Sequence, residues 1–407
     1  MKYDFDEYVN RDGTDSLTVE GWREYMFGDH REIMLSHPEK DFINLWVADM
    51  SFSTPEPVLN AIRSRLDKKI LGYTKIYNPD YYEIFGGWCE RQYNFRFKNE
   101  DIVLSPGIIP ALNRLVPLLT QQEDSLLILT PSYAPFKTAG DYNGRRVVHS
   151  ALRKSAQGWE PDWEDITRKV GEVDLRIKVL FLCNPHNPTG QVWRSDELKR
   201  IIEICQAHDI WVISDEIHCD LSRTGIRHIP AASLFPESTR IITCMSSSKT
   251  FNLAGNLLAN IIIPDMSIRS LWRQKHDDFI SPLSLIANKA AWSECDEWLK
   301  QLREYIDGNF NYLKNFLNEN LPDITFSVPK GTYLAWIDIK SYIPDDAGED
   351  LSLYFARKAS VLLEGGKFFV ENSDGYIRLN LACPREILVE GLSRITRVLR
   401  NSAVNPC

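Results

Sequence analysis

The sequence predicts an α/β protein: a large domain on a mostly parallel, doubly wound sheet, joined to a smaller α+β domain. Three observations carry this. Short apolar runs alternate with amphipathic stretches through the middle of the chain. Several of those runs are almost continuously apolar, as strands buried on both faces of a parallel sheet must be. Past about Ala290 the alternation gives way to a long polar-amphipathic stretch and then to strands mixed with helices.

Taken in chain order, Asp101–Ser105 (DIVLS) reads as a strand running into a Gly107 turn, and Ser125–Thr130 (SLLILT) as another. Lys178–Cys183 (KVLFLC) is a buried strand bounded by Asn-Pro signals. Ser195 to His208 is a helix: Leu198, Ile201, Ile202 and Cys205 form one apolar stripe, with Ser195 as N-cap and Asp196 and Glu197 in the first turn. Ile210–Ser214 (IWVIS), Arg240–Met245 (RIITCM) and Leu258–Ile263 (LANIII) complete the strand series. Beyond it, Glu294 to Asn320 reads as a long helix, followed by a strand at Thr332–Ile339, a helix near Leu351–Ala359 and a strand at Gly375–Ala382. Pro117 falls inside the helix after the glycine turn and is expected to kink or end it.

Composition narrows the class of function. The chain has 407 residues, 43 % hydrophobic and 25 % charged, with a formal net charge of −9. A net acidic field argues against a nucleic-acid coat or an anionic membrane surface. No apolar run is long enough for a spanning helix, and the start MKYDFDEYVNRDGTDS has neither the basic nor the apolar part of a secretory signal. Cys89, Cys183, Cys205, Cys219, Cys244, Cys295, Cys383 and Cys407 are scattered without a C-x-x-C pair. They read as ordinary reduced thiols of a cytoplasmic protein rather than as zinc ligands or a disulfide framework.

In open α/β sheets ligands bind beyond the carboxyl ends of the strands. After KVLFLC comes Asn184–Gly190 (NPHNPTG); after IWVIS, Asp215-Glu216-Ile217-His218; after RIITCM, Ser246-Ser247-Ser248-Lys249; after DIVLS, Pro106-Gly107-Ile108-Ile109-Pro110. Four strand ends thus offer an amide, a carboxylate, a hydroxyl-flanked lysine and a glycine turn into a helix. This set suits pyridoxal 5′-phosphate (PLP). That cofactor needs a lysine for its aldehyde, an acid to keep its pyridine nitrogen protonated and donors for its phosphate. Lys249, Asp215, and Ser246 and Ser248 with the backbone of Ile108 and Ile109 would fill those roles, and Asn187 would donate to the ring oxygen. Each has an ordinary alternative: Lys249 as a surface lysine, Asp215 as a helix cap, Asn187 as a loop-shaping turn residue. His186 reads as structural.

With those residues in view, the chain resembles the fold-type-I PLP-dependent enzymes of the class I/II aminotransferase superfamily, and within it the cystathionine β-lyase-like C–S lyase branch. The markers run in family order over nearly the whole chain: Trp46–Met50 (WVADM), Leu71–Thr74 (LGYT), Ser105–Asn113 (SPGIIPALN), Pro131–Phe136 (PSYAPF), the NPHNPTG run, Ser214–Leu221 (SDEIHCDL), Ser248–Gly255 (SKTFNLAG), Gly331–Trp336 (GTYLAW) and Tyr376–Pro384 (YIRLNLACP). The resemblance implies a large PLP-binding domain over 51–290, a small C-terminal domain over 291–407, and an N-terminal segment, 1–50, packed with the small domain. It implies that Tyr133 stacks on the cofactor ring and acts in catalysis, that Arg378 clamps a substrate carboxylate, and that Tyr73 reaches the phosphate of a neighbouring subunit in a homodimer. The strand pattern supports the arginine separately, since Tyr376, Arg378 and Asn380 share one face. Histidine at 218, where aminotransferases of the superfamily usually carry tyrosine, favours the lyase branch.

The implied reaction is removal of a Cα proton by Lys249 and loss of a thiolate from Cβ of L-cystathionine or another cysteine S-conjugate, giving pyruvate and ammonia. The alternatives are an aminotransferase and, on the strength of its departures from the pattern, a non-catalytic binding or regulatory protein. The departures are Ser51 in place of the branch's aspartate, Asn256-Leu257 in place of leucine-glutamine, and Val370 and Ser373 in place of two glycines before Arg378. Leu257 also stands where aminotransferases keep a phosphate-binding arginine.

Overall fold

The computed structural model describes residues 2–28, 35, 38, 41–155, 158–343, 347, 348 and 350–403, the last three as backbone only. Cys407 lies outside the described residues. The centre is an eight-stranded sheet. Its strands, in spatial order, are Ile102–Ser105, Ala259–Ile262, Ile241–Met245, Trp211–Asp215, Ile177–Cys183, Ser125–Thr130, Arg146–Ser155 and Gly158–Pro161. The run from Ile241–Met245 to Arg146–Ser155 is parallel throughout; Ala259–Ile262 and Gly158–Pro161 run against their neighbours.

Alternation along the strands explains the two covered faces. Leu126, Ile128, Val179, Phe181, Ile213 and Ile242 pack with Ile108, Leu112 and Leu115 of the helix Ile108–Leu119. Leu127, Leu129, Leu180, Leu182 and Val212 pack on the opposite side with Leu198, Ile201, Ile202 and Cys205 of the helix Ser195–Ala207. Every second residue therefore meets a different helical layer, which is why these strands read as continuous apolar runs.

The smaller unit is a three-stranded antiparallel sheet, with Tyr376–Asn380 between Leu334–Asp338 and Glu364–Gly365. It shares one core with the helices Asp296–Asn320 and Arg385–Ala403. Near the N-terminus, Ile43–Asn44 pairs in parallel with Val361–Leu362.

Three local expectations change. The helix predicted from Ser195 is capped one residue earlier, at Arg194, whose N–H donates to the Glu197 carboxylate at 2.8 Å. The long helix predicted from Glu294 begins at Asp296 and runs to Asn320, and a separate helix, Pro282–Glu294, ends just before it at Cys295. Pro117 is accommodated: the helix runs to Leu119, and the Asn113 carbonyl, which Pro117 has no N–H to meet, accepts from Asn143 Nδ2 at 3.2 Å. No described helix is long and apolar enough to cross a membrane.

Candidate active site

The parallel strands deliver their carboxyl ends side by side. Asp215, the last residue of its strand, lies in register between Cys183 and Cys244, and its carbonyl accepts from Asn184 N at 2.9 Å. Behind it, buried Glu216 braces the turn by accepting from Ser214 Oγ at 2.8 Å and Ala231 N at 2.9 Å, with His228 Nε2 at 2.7 Å. Gly190 closes the NPHNPTG loop at φ +67, with the carbonyl of Gly331 2.9 Å and the side chain of Pro329 2.4 Å from where a Cβ would sit. Only glycine fits this approach.

One cavity of about 270 Å³ opens at these ends. Ile108, Ile109, Tyr133, Asn187, Asp215, His218, Ser246, Ser248, Lys249 and Arg378 all line it. The structure thus brings together every predicted site residue except Tyr73. That ring is 91 % exposed and rests 4.7 Å from Phe279.

Lys249 Nζ donates to the Ala48 carbonyl at 2.6 Å, and Tyr333 Oη donates to the same oxygen at 2.9 Å. Asn252 ties that segment down through the Met50 and Phe52 carbonyls at 3.1 and 2.9 Å. Burial pulls the Lys249 amine below the usual lysine range, with the charge of Arg378 adding to the effect. Burial pushes Asp215 up to about 7, against the stabilising Ile217 N–H and Lys249. Burial also holds His218 at about 3, so its ring is neutral; among the described residues its Nδ1 has no partner. The Tyr133 hydroxyl is raised by burial. His186 is buried with Nδ1 2.8 Å from Thr189 Oγ1, as its structural reading requires.

Arg378 is 2 % exposed and reaches the cavity from the small sheet. Its Nη1 donates to Asn187 Oδ1 at 3.0 Å, its Nη2 to the Trp46 carbonyl at 3.4 Å, and its guanidinium lies 5.1 Å from the Phe369 ring centre. The bond to Asn187 turns that amide so that its NH₂ is left to donate elsewhere. Arg378 also forms an ion pair with Glu364, its partner in strand register. Glu364 was not foreseen from sequence. A lone carboxylate inside the apolar run VLLEGG was the available signal. Tyr25, half exposed at the cavity edge, was missed as well, and nothing in its local pattern marks it.

Each of the four departures from the pattern has a defined place in the structure. Ser51 N donates to the Ala382 carbonyl at 2.9 Å. Leu257 is 64 % exposed at a left-handed turn. Val370 pairs with Ser132 beside Tyr133, and Ser373 Oγ donates to the Gly366 carbonyl at 2.9 Å.

The donor set fits PLP. A carboxylate raised by burial matches a protonated ring nitrogen, and a depressed lysine amine matches an aldehyde. Two seryl groups and the unpaired N–H groups opening a twelve-residue helix match a phosphate.

The family model for aminotransferase class I and II matches residues 40–395. Cystathionine beta-lyase PatB of Bacillus subtilis is 35 % identical over 366 residues, covering 88 % of this chain and 93 % of the relative. Protein MalY of Escherichia coli is 30 % identical over 365 residues, with 88 % and 92 % covered. The PLP-bound C–S lyase of Staphylococcus hominis, solved with the inhibitor L-cycloserine, superposes with a TM-score of 0.94 at 44 % identity, over 98 % of both chains. Fold and site together make this chain a PLP-dependent enzyme of the class I and II aminotransferase family. Within that family it belongs to the carbon–sulfur lyase branch.

Proposed function

We propose that the chain is a C–S β-lyase that converts L-cystathionine or another cysteine S-conjugate, with water, to a thiol, pyruvate and ammonia. The carrying observation is the convergence of Lys249, Asp215, Asn187 and Arg378 on one cavity beside a neutral His218. Bound PLP supplies an electron sink for the pair left when the Cα proton departs.

The chain's own residues do the rest. Lys249 would hold the cofactor through its amine, and burial lowers its basicity so that the freed amine is neutral and can take the Cα proton. Asp215 keeps the ring nitrogen protonated, and Asn187, oriented by Arg378, donates to the ring oxygen. Tyr133 would cover the cofactor ring, and it lines the same cavity as His218. Ser246, Ser248 and the N–H groups of Ile108 and Ile109 hold the phosphate. Arg378 holds the substrate carboxylate with its planar donor fork.

We assign residues 51–290 to the cofactor domain and 291–407 to the small domain, with 1–50 packed on the latter. The Ile43–Val361 pairing and the break at Cys295 support this division. We assign Tyr73 to the phosphate of a second copy in a homodimer. Its exposure on a patch with Leu71, Tyr77 and Phe279 supports that assignment. A cytoplasmic location agrees with seven buried cysteines, none in a disulfide among the described residues.

The test is incubation of holoenzyme with L-cystathionine, with thiol and pyruvate assayed. Pyruvate and thiol appear in equal amounts without an added keto acid, and Lys249→Ala abolishes both turnover and the cofactor's borohydride-sensitive absorption. A keto acid formed only when an amino acceptor is supplied would replace the lyase reading with an aminotransferase.

A further inference from the structure

The Ala48 carbonyl takes two donors among the described residues, Lys249 Nζ at 2.6 Å and Tyr333 Oη at 2.9 Å. It has little freedom to turn toward a third, because the carbonyls on either side of it, of Val47 and Asp49, are both held by Asn380 Nδ2, at 2.8 and 2.7 Å. Tyr333 is fully buried, and the Ala48 carbonyl is the one acceptor its hydroxyl meets among the described residues. The residue before it is strained: Thr332 sits at φ +64, a left-handed conformation that a β-branched residue rarely adopts. Neighbours pin that conformation. Arg223 Nη2 donates to the Thr332 carbonyl, and Thr332 Oγ1 accepts from Leu334 N at 3.1 Å. Strain of this kind persists where the surroundings over-determine it, and it gathers at working sites. Here it delivers one hydroxyl to the carbonyl on which the lysine amine rests.

We propose that Tyr333 is a positioning residue for Lys249: its hydroxyl keeps the Ala48 carbonyl paired while the lysine is attached to PLP, so that the amine can leave that carbonyl and return to it without stranding a buried acceptor. The inference rests on the reading of Lys249 as the residue joined to PLP. A free neutral amine carries two hydrogens, whereas a nitrogen joined by a double bond to the cofactor's aldehyde carbon carries at most one. Attachment therefore withdraws a donor from the carbonyl, and the tyrosine supplies one in either state. A buried carbonyl left without a donor carries a penalty of roughly five- to hundredfold in an equilibrium constant.

Tyr333→Phe removes the hydroxyl and keeps the ring. In cofactor-free protein Lys249 still meets the carbonyl, so the urea midpoint is expected to change little. With PLP attached the carbonyl is stranded, so the PLP dissociation constant, measured by equilibrium dialysis, is expected to rise roughly fivefold or more. In a Lys249→Ala background the carbonyl has no lysine donor whether PLP is bound or not, and the same substitution is expected to leave PLP affinity unchanged. An unchanged dissociation constant for Tyr333→Phe, which a merely structural tyrosine would give, would overturn the proposal. So would an equal rise in the Lys249→Ala background, since the hydroxyl would then act on the cofactor directly. Borohydride reduction of wild-type holoenzyme followed by mass spectrometry separates this inference from the reading beneath it. Unmodified Lys249 refutes the attachment of PLP to this lysine, whereas modified Lys249 with an unchanged affinity in Tyr333→Phe refutes the role of Tyr333 alone.

Discussion

Asp215 gives the sharpest quantitative expectation. Its carboxyl is buried and raised from the ordinary 3.8 to about 7, chiefly by burial, with Glu216 adding repulsion and Ile217 N–H and Lys249 opposing it. In cofactor-free protein the folded chain binds this proton more tightly than the unfolded chain. The stabilisation is complete below about pH 4 and is lost as pH rises towards 7. Three pH units at about 1.4 kcal/mol each make the ionised group a liability of about 4 kcal/mol, roughly 3 of which develops between about pH 5 and pH 8. Asp215→Asn keeps the shape and cannot ionise. Urea unfolding of cofactor-free wild type and variant at the two pH values isolates the term, since all other titrating groups are common to both. The variant is expected to be the more stable by about 4 kcal/mol at the higher pH and by only about 1–2 kcal/mol at the lower. It is also expected to hold PLP more weakly, because the ring nitrogen loses its anion. Identical pH dependence in the two proteins would show that Asp215 is not an unpaired buried charge and would remove the electrostatic case for its role.

Two further outcomes are expected. Arg378→Ala strands the Glu364 carboxylate in the interior and is expected to destabilise the protein by about 3–5 kcal/mol, with part of the loss recovered in the double variant Arg378→Ala/Glu364→Gln; thermal unfolding of the two variants measures this, and no recovery in the double variant would mean the pair is not coupled. Tyr73→Ala and Lys249→Ala are each expected to be inactive alone, whereas their mixture regains activity if, as proposed, a mixed dimer forms one site with Lys249 from one copy and Tyr73 from the other; a mixture as inactive as its parents would count against a shared site.

Much of this protein is legible in its sequence because its central strands are buried on both faces and leave a one-dimensional record. SLLILT, KVLFLC and RIITCM each mark a strand to within a residue, and residues following them line the cavity at the strand ends, since chain direction fixes which end of a parallel strand carries the loop. Lys249, Asp215 and Asn187 are therefore legible in the sequence as neighbours at one end of the sheet. Arg378 was visible as one face of an alternating strand. What sequence could not supply is anything decided by distant segments meeting. Glu364 acquires its meaning from the ladder that sets it opposite Arg378, the Ala48 carbonyl from a crossing some two hundred residues away in the chain, and the depressed amine of Lys249 from the burial these segments create. Residue type and spacing determined which chemistry the chain carries. The tertiary structure decided its electrostatics, because desolvation and charge coupling depend on what lies within a few ångströms in space rather than on what lies next in the chain.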